Sequence, residues 1–213
     1  MLNLGVFAYS QGQAVLALED DGLRFHPDLV ILGYVEPDLY RNVTPFFCYA
    51  KGGPTPAGPN RFTGLPVPSP GDIRATFWTR SFILETLLMV WETSTHGPPD
   101  ANMVETTGSF LLDTARDLVR GAGARFILLY MPGRGDPETH DGEFVVSYAE
   151  AAGVEFVDPR PRFTAVLEQQ GAAAYDALFL PDDDHPSASG YRLIAEEMAA
   201  WLAAHPDPTS QTL

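Results

Sequence analysis

Residues 121–131, Gly-Ala-Gly-Ala-Arg-Phe-Ile-Leu-Leu-Tyr-Met, indicate the fold class more clearly than any other segment. The two glycines end a helical pattern, because glycine readily takes the left-handed backbone conformation that closes a helix. The apolar run after them is short and unbroken, which is typical of a strand buried on both faces of a parallel sheet. Residues 151–157 repeat this order, with an Ala-Ala-Gly stop before a short run. The sequence therefore predicts βαβ units.

The alternation of strand and helix extends along the chain. Core strands are predicted at 2–6, 29–34, 126–131 and 154–157, and helices at 13–23, 75–92, 107–121, 143–152 and 187–204. Pro161 is expected near the start of a further helix. This order predicts an α/β fold built on a parallel, doubly wound sheet. Residues 1–204 are expected to form one domain.

Two segments depart from the pattern. Closely spaced prolines and glycines remove any periodicity from residues 44–73. This segment is interpreted as an insertion within the domain, either a lid over a site or an irregular surface loop. Residues 205–213 are polar and are expected to form a disordered tail.

Composition and charge narrow the function classes. The formal net charge of −15 would repel phosphate backbones, so nucleic acid is not an expected partner. Cys48 is the single cysteine, which excludes an internal disulfide and argues against a zinc-thiolate site. No apolar run approaches the roughly 18–20 residues of a membrane span. The first residues also lack the basic region and cleavage site of a signal peptide. The chain as given is therefore expected to be soluble and cytoplasmic, although a preceding segment could carry a signal or an anchor.

The loop before the last helix carries the most informative chemistry, since ligand sites in open α/β sheets lie at the carboxyl ends of strands. Residues 179–191 are Phe-Leu-Pro-Asp-Asp-Asp-His-Pro-Ser-Ala-Ser-Gly-Tyr, so His185 follows three acids. A nucleophilic serine needs an imidazole base, and the imidazole needs a carboxylate on its other nitrogen. Asp182, three residues earlier, can curl back onto the ring, and Asp183 is less suited to that role.

Two other interpretations of this loop stay open. The acids can be a favourable cap for the following helix, with His185 a surface residue beside them. A metal site is disfavoured because consecutive positions rarely converge on one ion, and we expect none.

Three segments together resemble the SGNH/GDSL hydrolase family. Residues 182–191, Asp-x-x-His-Pro-Ser-Ala-x-Gly-Tyr, are similar to its last block. Residues 3–13, Asn-Leu-Gly-Val-Phe-Ala-Tyr-Ser-Gln-Gly-Gln, resemble its second block, and residues 27–38, Pro-Asp-Leu-Val-Ile-Leu-Gly-Tyr-Val-Glu-Pro-Asp, its third. The blocks occur in the family's order and span nearly the whole chain.

The resemblance implies a three-layer α/β/α fold of flavodoxin-like SGNH type. It implies hydrolysis of a small-molecule or carbohydrate ester through a serine acyl-enzyme, without a cofactor. His185 would be the base and Asp182 its orienting carboxylate, and the Ala8 amide would donate to the oxyanion. Asp38 would fix its own loop, with Arg41 as a partner, and Arg41 or Asn42 could also serve the oxyanion.

Two departures from the family pattern matter. No Gly-Asp-Ser occurs in the chain, and in the family that block precedes the second one. The chain is therefore interpreted as truncated before Met1, without its first strand and nucleophile, and Ser10 is interpreted as a loop residue. Pro37 occupies the place of the family's oxyanion asparagine, and proline has no N–H to donate.

These departures leave other functions open. The protein could be a non-catalytic binding protein on the same fold, with a glycan or lipid as ligand. It could also be a carbohydrate O-acyltransferase or deacetylase, which would use the same triad of a nucleophilic serine, a histidine base and an orienting carboxylate. A receiver or nucleotide binder with a flavodoxin-like fold ranks last, because no phosphate-cradling Gly-rich loop follows a strand. The chain as given is expected to show no serine-hydrolase turnover.

Overall fold

The computed structural model describes residues 1–5, 9–42, 101–135 and 142–206. Its helices are α1 (Gln11–Ala17), α2 (Glu36–Arg41), α3 (Ala101–Gly121), α4 (Glu143–Ala152), α5 (Arg160–Gln170), α6 (Ala172–Asp176) and α7 (Ala188–Ala204). Its strands are β1 (Leu29–Tyr34), β2 (Arg125–Tyr130) and β3 (Glu155–Val157). After α1 the chain continues through a π-helical segment, Leu18–Gly22, and a 3-10 turn, Leu23–Phe25.

The strands of the described residues form one parallel sheet in the order β1-β2-β3. β2 and β3 pair in parallel. Along β1, Arg125 N donates to Asp28 O at 2.9 Å and Met131 N donates to Tyr34 O at 2.8 Å. The offset between donor and acceptor is the same at both ends of β1, as parallel strands require. The predicted α/β class with a parallel sheet is confirmed.

The contacts divide the chain into two compact units. The first unit is Met1–Val30 with Glu36–Arg125, and the second unit is Ile31–Val35 with Phe126–Leu213. In the first unit α3 packs against α1 and α2. The buried apolar side chains of α3 are Val104, Leu111, Leu112, Ala115 and Val119. The expectation of one domain over residues 1–204 stays a prediction.

The second unit has an aromatic and aliphatic core under the loop that leads into α7. The core residues are Phe163, Tyr175, Leu178, Phe179 and Ile194. The Phe179 ring lies 5.2 Å from that of Tyr175 and 5.7 Å from that of Phe163, centroid to centroid. Burial of such side chains contributes about 1.5–3 kcal/mol each. This core fixes the residues on which the candidate site is built.

Several predicted elements are confirmed. The strand at 29–34 and the helix at 143–152 have their predicted bounds, and the strands at 126–131 and 154–157 agree to within one residue at each end. Gly153 closes α4 in the left-handed conformation, with φ +59°. The helix expected at 107–121 is present but already begins at Ala101, and the last helix begins at Ala188 with Ser187 as its N-cap.

Other elements differ from expectation. Residues 1–5 contain no strand. The Asn3 side chain instead accepts a hydrogen bond from Gly5 N at 2.8 Å, a local bond that competes with strand pairing. The helix expected at 13–23 begins at Gln11, and neither α2 nor α6 is predicted from the sequence.

The helix expected at 75–92, the insertion at 44–73 and the tail beyond residue 206 lie outside the described residues. In the part of the chain that is described, every helix is too short or too polar to cross a membrane.

Candidate functional site

Backbone hydrogen bonds close the loop at residues 180–185, the His185 loop, ahead of α7. Leu180 N donates to His185 O at 2.9 Å, and Ser187 N donates to Leu178 O at 2.7 Å. An isolated antiparallel bridge forms at the same ends of the loop. The His185 loop is therefore a closed turn whose two ends are anchored to each other.

The imidazole of His185 contacts the carboxylate of Asp183. Nδ1 of the ring lies 2.5 Å from Asp183 Oδ1, and the His185 backbone N–H donates to the same oxygen at 3.0 Å. The side chains are about half exposed, 54% for His185 and 47% for Asp183. One carboxylate oxygen thus fixes both the backbone and the ring of the histidine while the pair stays accessible to solvent.

The contact with His185 lowers the pKa of the Asp183 carboxyl. The hydrogen bond from the His185 side chain, followed by the one from its backbone N–H, lowers the pKa of Asp183 below its ordinary value of 3.8. Hydrogen bonds to the charged form of a carboxylate favour that form. Asp183 is therefore ionised at neutral pH and can hold one tautomer of the imidazole.

The orienting contact was expected from Asp182, and the structure gives it to Asp183 instead. A carboxylate readily accepts from the backbone N–H two residues further on, which is the spacing of Asp183 and His185. Asp182 is exposed and has a left-handed backbone with φ +57°. The catalytic roles of Asp182 and His185 stay predictions.

Arg134, which sequence reasoning missed, braces the His185 loop from the segment that follows β2. One of its terminal nitrogens donates to Leu180 O at 2.5 Å and to Asp183 O at 3.0 Å. Its other terminal nitrogen lies 3.2 Å from Asp176 Oδ1. The guanidinium carbon also lies 5.6 Å from the centre of the Phe179 ring, within cation–π range. A cation between two glycines, in the segment that follows a core strand, is the signal that could have identified it.

The residues after His185 have structural explanations. The Ser187 hydroxyl caps α7 by accepting from Gly190 N, and it donates to Ala177 O at 2.8 Å. A Cβ on Gly190 would collide with Leu178 O and crowd Pro186. The helix start expected at Ser187 agrees with the structure to within one residue, since Ser187 is the N-cap and Ala188 the first helical residue. The Pro-Ser-x-x-Gly part of this motif is therefore explained by loop closure and helix capping.

In the first unit, Asn42 and Gln11 form a buried amide pair. Asn42 Nδ2 donates to Gln11 Oε1 at 2.7 Å, and Asn42 Oδ1 accepts from Gly12 N at 3.2 Å. The two side chains are 6% and 4% exposed. Within the described residues, Gln11 Nε2 has no hydrogen-bond partner. Asn42 thus ties α1 to the end of α2.

The other candidates of the first unit also have local contacts. Arg41 Nη1 lies 2.6 Å from Asp38 Oδ1, which confirms the expected pairing. Ser10 is buried, and its backbone N–H donates to Gln13 Oε1 at 3.0 Å at the start of α1. Pro37 lies in the first turn of α2, where a missing N–H leaves no helical bond unmade. Ala8 lies outside the described residues.

In the first unit, the structure therefore brings Asp38 to Arg41 and Gln11 to Asn42. In the second unit, it brings Asp183 to His185 and Arg134 to the loop that carries both. Among the described residues, no three His, Cys, Asp or Glu side chains are grouped as metal ligands would be. A scan against protein-family models gave no match, and a search of curated proteins gave no significant match.

Proposed function

We propose that the protein acts as an SGNH/GDSL-type hydrolase of small-molecule or carbohydrate esters on a three-layer α/β/α fold, with His185 as general base. The observation that carries the proposal is the Asp183–His185 pair, in which a carboxylate contacts Nδ1 of an accessible imidazole. Because the carboxylate holds Nδ1–H, Nε2 is the nitrogen that accepts a proton.

The chemistry follows from these roles. Nε2 takes the proton of a serine hydroxyl as its oxygen attacks the ester carbonyl. The protonated imidazole then gives that proton to the leaving alcohol, and an acyl-enzyme remains. Water then attacks the acyl-enzyme and gives a proton to the same nitrogen. The imidazolium returns that proton to the serine oxygen as the bond to the acyl group breaks, which releases the acid and the free serine. The carboxylate of Asp183 stays ionised and stabilises the imidazolium in both steps.

The proposal requires a serine that this chain does not supply in a Gly-Asp-Ser context. The test uses the protein made from its whole reading frame, including whatever is encoded ahead of Met1, with a fluorophosphonate probe and p-nitrophenyl acetate. His185→Ala should lower turnover about 10⁴-fold or more and abolish labelling.

His205→Ala is the matched control. His205 is an exposed histidine at the end of α7 whose ring stacks on Trp201 at 4.2 Å. Its replacement should leave labelling and turnover unchanged. Ester turnover that survives His185→Ala, or that falls equally in both variants, would contradict the proposal.

One rival has an observation in its favour, namely a non-catalytic protein that binds a ligand on the same fold. The polar side chains considered for the oxyanion are engaged structurally, since Asn42 binds Gln11 and Gly12 and Arg41 binds Asp38. One missing oxyanion donor can cost about 2.7–4 kcal/mol of transition-state stabilisation. A folded, full-reading-frame protein that binds an ester analogue but never labels would favour this rival.

A further inference from the structure

We propose that Arg134 is the positioning residue of the His185 loop, the group that holds the Asp183–His185 pair in its orientation. Its guanidinium bridges two carbonyl oxygens of that loop, Leu180 O and Asp183 O. The importance of the pair rests on the proposed function, but the bracing itself does not.

Arg134 is itself held in place from the other side. The Tyr175 hydroxyl donates to Arg134 O at 2.9 Å, and the Tyr175 ring is buried in the core of the second unit. The guanidinium packs against Phe179 of the same core and contacts Asp176. The arginine is therefore fixed at both its backbone and its side chain, with only 30% of the side chain exposed.

The link from Arg134 to the imidazole is short. Arg134 holds the carbonyl of Asp183, and the side chain of the same residue accepts from the ring and the backbone of His185. A rotation of the Asp183 peptide would therefore move the carboxylate away from the imidazole. A guanidinium restrains such a rotation better than an ammonium, because its N–H donors point in fixed directions within one plane.

Charge gives a second reason for a cation at this position. Asp182, Asp183 and Asp184 are consecutive, and Asp176 lies beside them at the end of α6. Arg134 contacts two of the four carboxylates, at 3.2 Å for Asp176 and at 3.9 Å for Asp184. It thereby offsets part of the like-charge repulsion among these carboxylates.

The test measures amide hydrogen exchange and the ¹⁵N shifts of the His185 ring in Arg134→Met, which keeps an apolar stem and removes the donors. Exchange at the Leu180, Asp183 and His185 amides should accelerate about tenfold or more. The Nδ1–H signature of His185 should be lost. Amides in the middle of α7 should keep their exchange rates.

Arg134→Lys keeps the charge without the planar donors and should partly restore both readouts. The matched control is Arg162→Met, which removes another arginine of the second unit, one that pairs with Glu196 and Glu197. It should leave the His185 loop unchanged. Wild-type exchange and ring shifts in a folded Arg134→Met protein would overturn the proposal.

If Arg134→Met does not fold, the exchange rates of the Arg134→Lys variant decide. Loop amides that exchange in Arg134→Lys as they do in the wild type would overturn the proposal. Faster exchange confined to the loop amides of that variant would support it. None of these readouts uses turnover or labelling. The hydrolase proposal could therefore fail while the bracing by Arg134 is confirmed, and the bracing could fail while the hydrolase proposal is confirmed.

Discussion

The His185 loop and the Gln11–Asn42 pair use similar polar groups in opposite ways. In the His185 loop, the side chains of Asp183 and His185 are about half exposed, and backbone hydrogen bonds and Arg134 fix the backbone of the loop. In the first unit, the Gln11 and Asn42 side chains are at least nine-tenths buried and bond to each other, and Asn42 also accepts from Gly12 N. One region presents its polar groups to solvent, and the other uses them internally.

The difference in burial predicts which polar groups contribute to the stability of the fold and which are available for chemistry. A buried polar group that loses its partner costs about 1–3 kcal/mol, whereas an exposed group can bond to water instead. The buried amides are therefore expected to stabilise the fold, and the exposed pair is expected to serve reactivity. Each kind of region should respond to substitution in its own way.

The largest effect on stability is expected from Asn42→Ala. This change leaves Gln11 Oε1 and Gly12 N buried without their bonds to Asn42, and it should lower the free energy of unfolding by about 3 kcal/mol. His185→Ala should change it by only about 0.5 kcal/mol, as is usual for exposed positions. Urea unfolding followed by circular dichroism measures both. Equal losses in the two variants would remove the contrast between the regions.

A smaller loss is expected from Gly190→Ala, which tests the closure of the His185 loop. The added Cβ would meet Leu178 O and Pro186 and should lower the free energy of unfolding by about 1–3 kcal/mol. The control is Gly121→Ala, because a Cβ there meets nothing within 4 Å. Removing a helical glycine at that site should be neutral or slightly stabilising. Thermal melts that rank the two variants alike would contradict the closure described for the loop.

The smallest effect is expected from the ionisation of Asp183. Its pKa is lowered in the folded protein, so its contribution to the loop is complete above about 3.8, the ordinary value, and is lost as the pH falls through the lowered pKa. The exchange protection of the His185 amide should therefore fall in that acid range. In Asp183→Asn the protection should be weak already at neutral pH. A pH response that is unchanged in Asp183→Asn would exclude Asp183 as its source.

Local patterns allowed much of the fold to be predicted. The strand at 29–34 and the helix at 143–152 are confirmed because an apolar run or a helical period ends at a clear signal such as Gly153. α2 was not predicted. It has only six residues and contains Pro37, and proline is compatible with a helix only in its first turn. Asn3 shows the opposite error, since one side-chain bond to Gly5 N replaces an expected strand.

The candidate site was less accessible to sequence reasoning. The position of His185 followed from the motif, but the choice between Asp182 and Asp183 depends on backbone angles within the His185 loop. Arg134 lies 46 and 49 residues from the carbonyls that it contacts. No local pattern specifies such a contact, because it arises only when the segment after β2 packs against the His185 loop.

The tautomer of the His185 ring tests the Asp183–His185 pair directly, and it needs no serine and no substrate. Long-range ¹H–¹⁵N correlation spectra of the neutral imidazole distinguish a proton on Nδ1 from one on Nε2. We predict the Nδ1–H form in the wild type and in Asp182→Asn, and its loss in Asp183→Asn. A dominant Nε2–H form in the wild type, or a change caused by Asp182→Asn alone, would contradict this assignment.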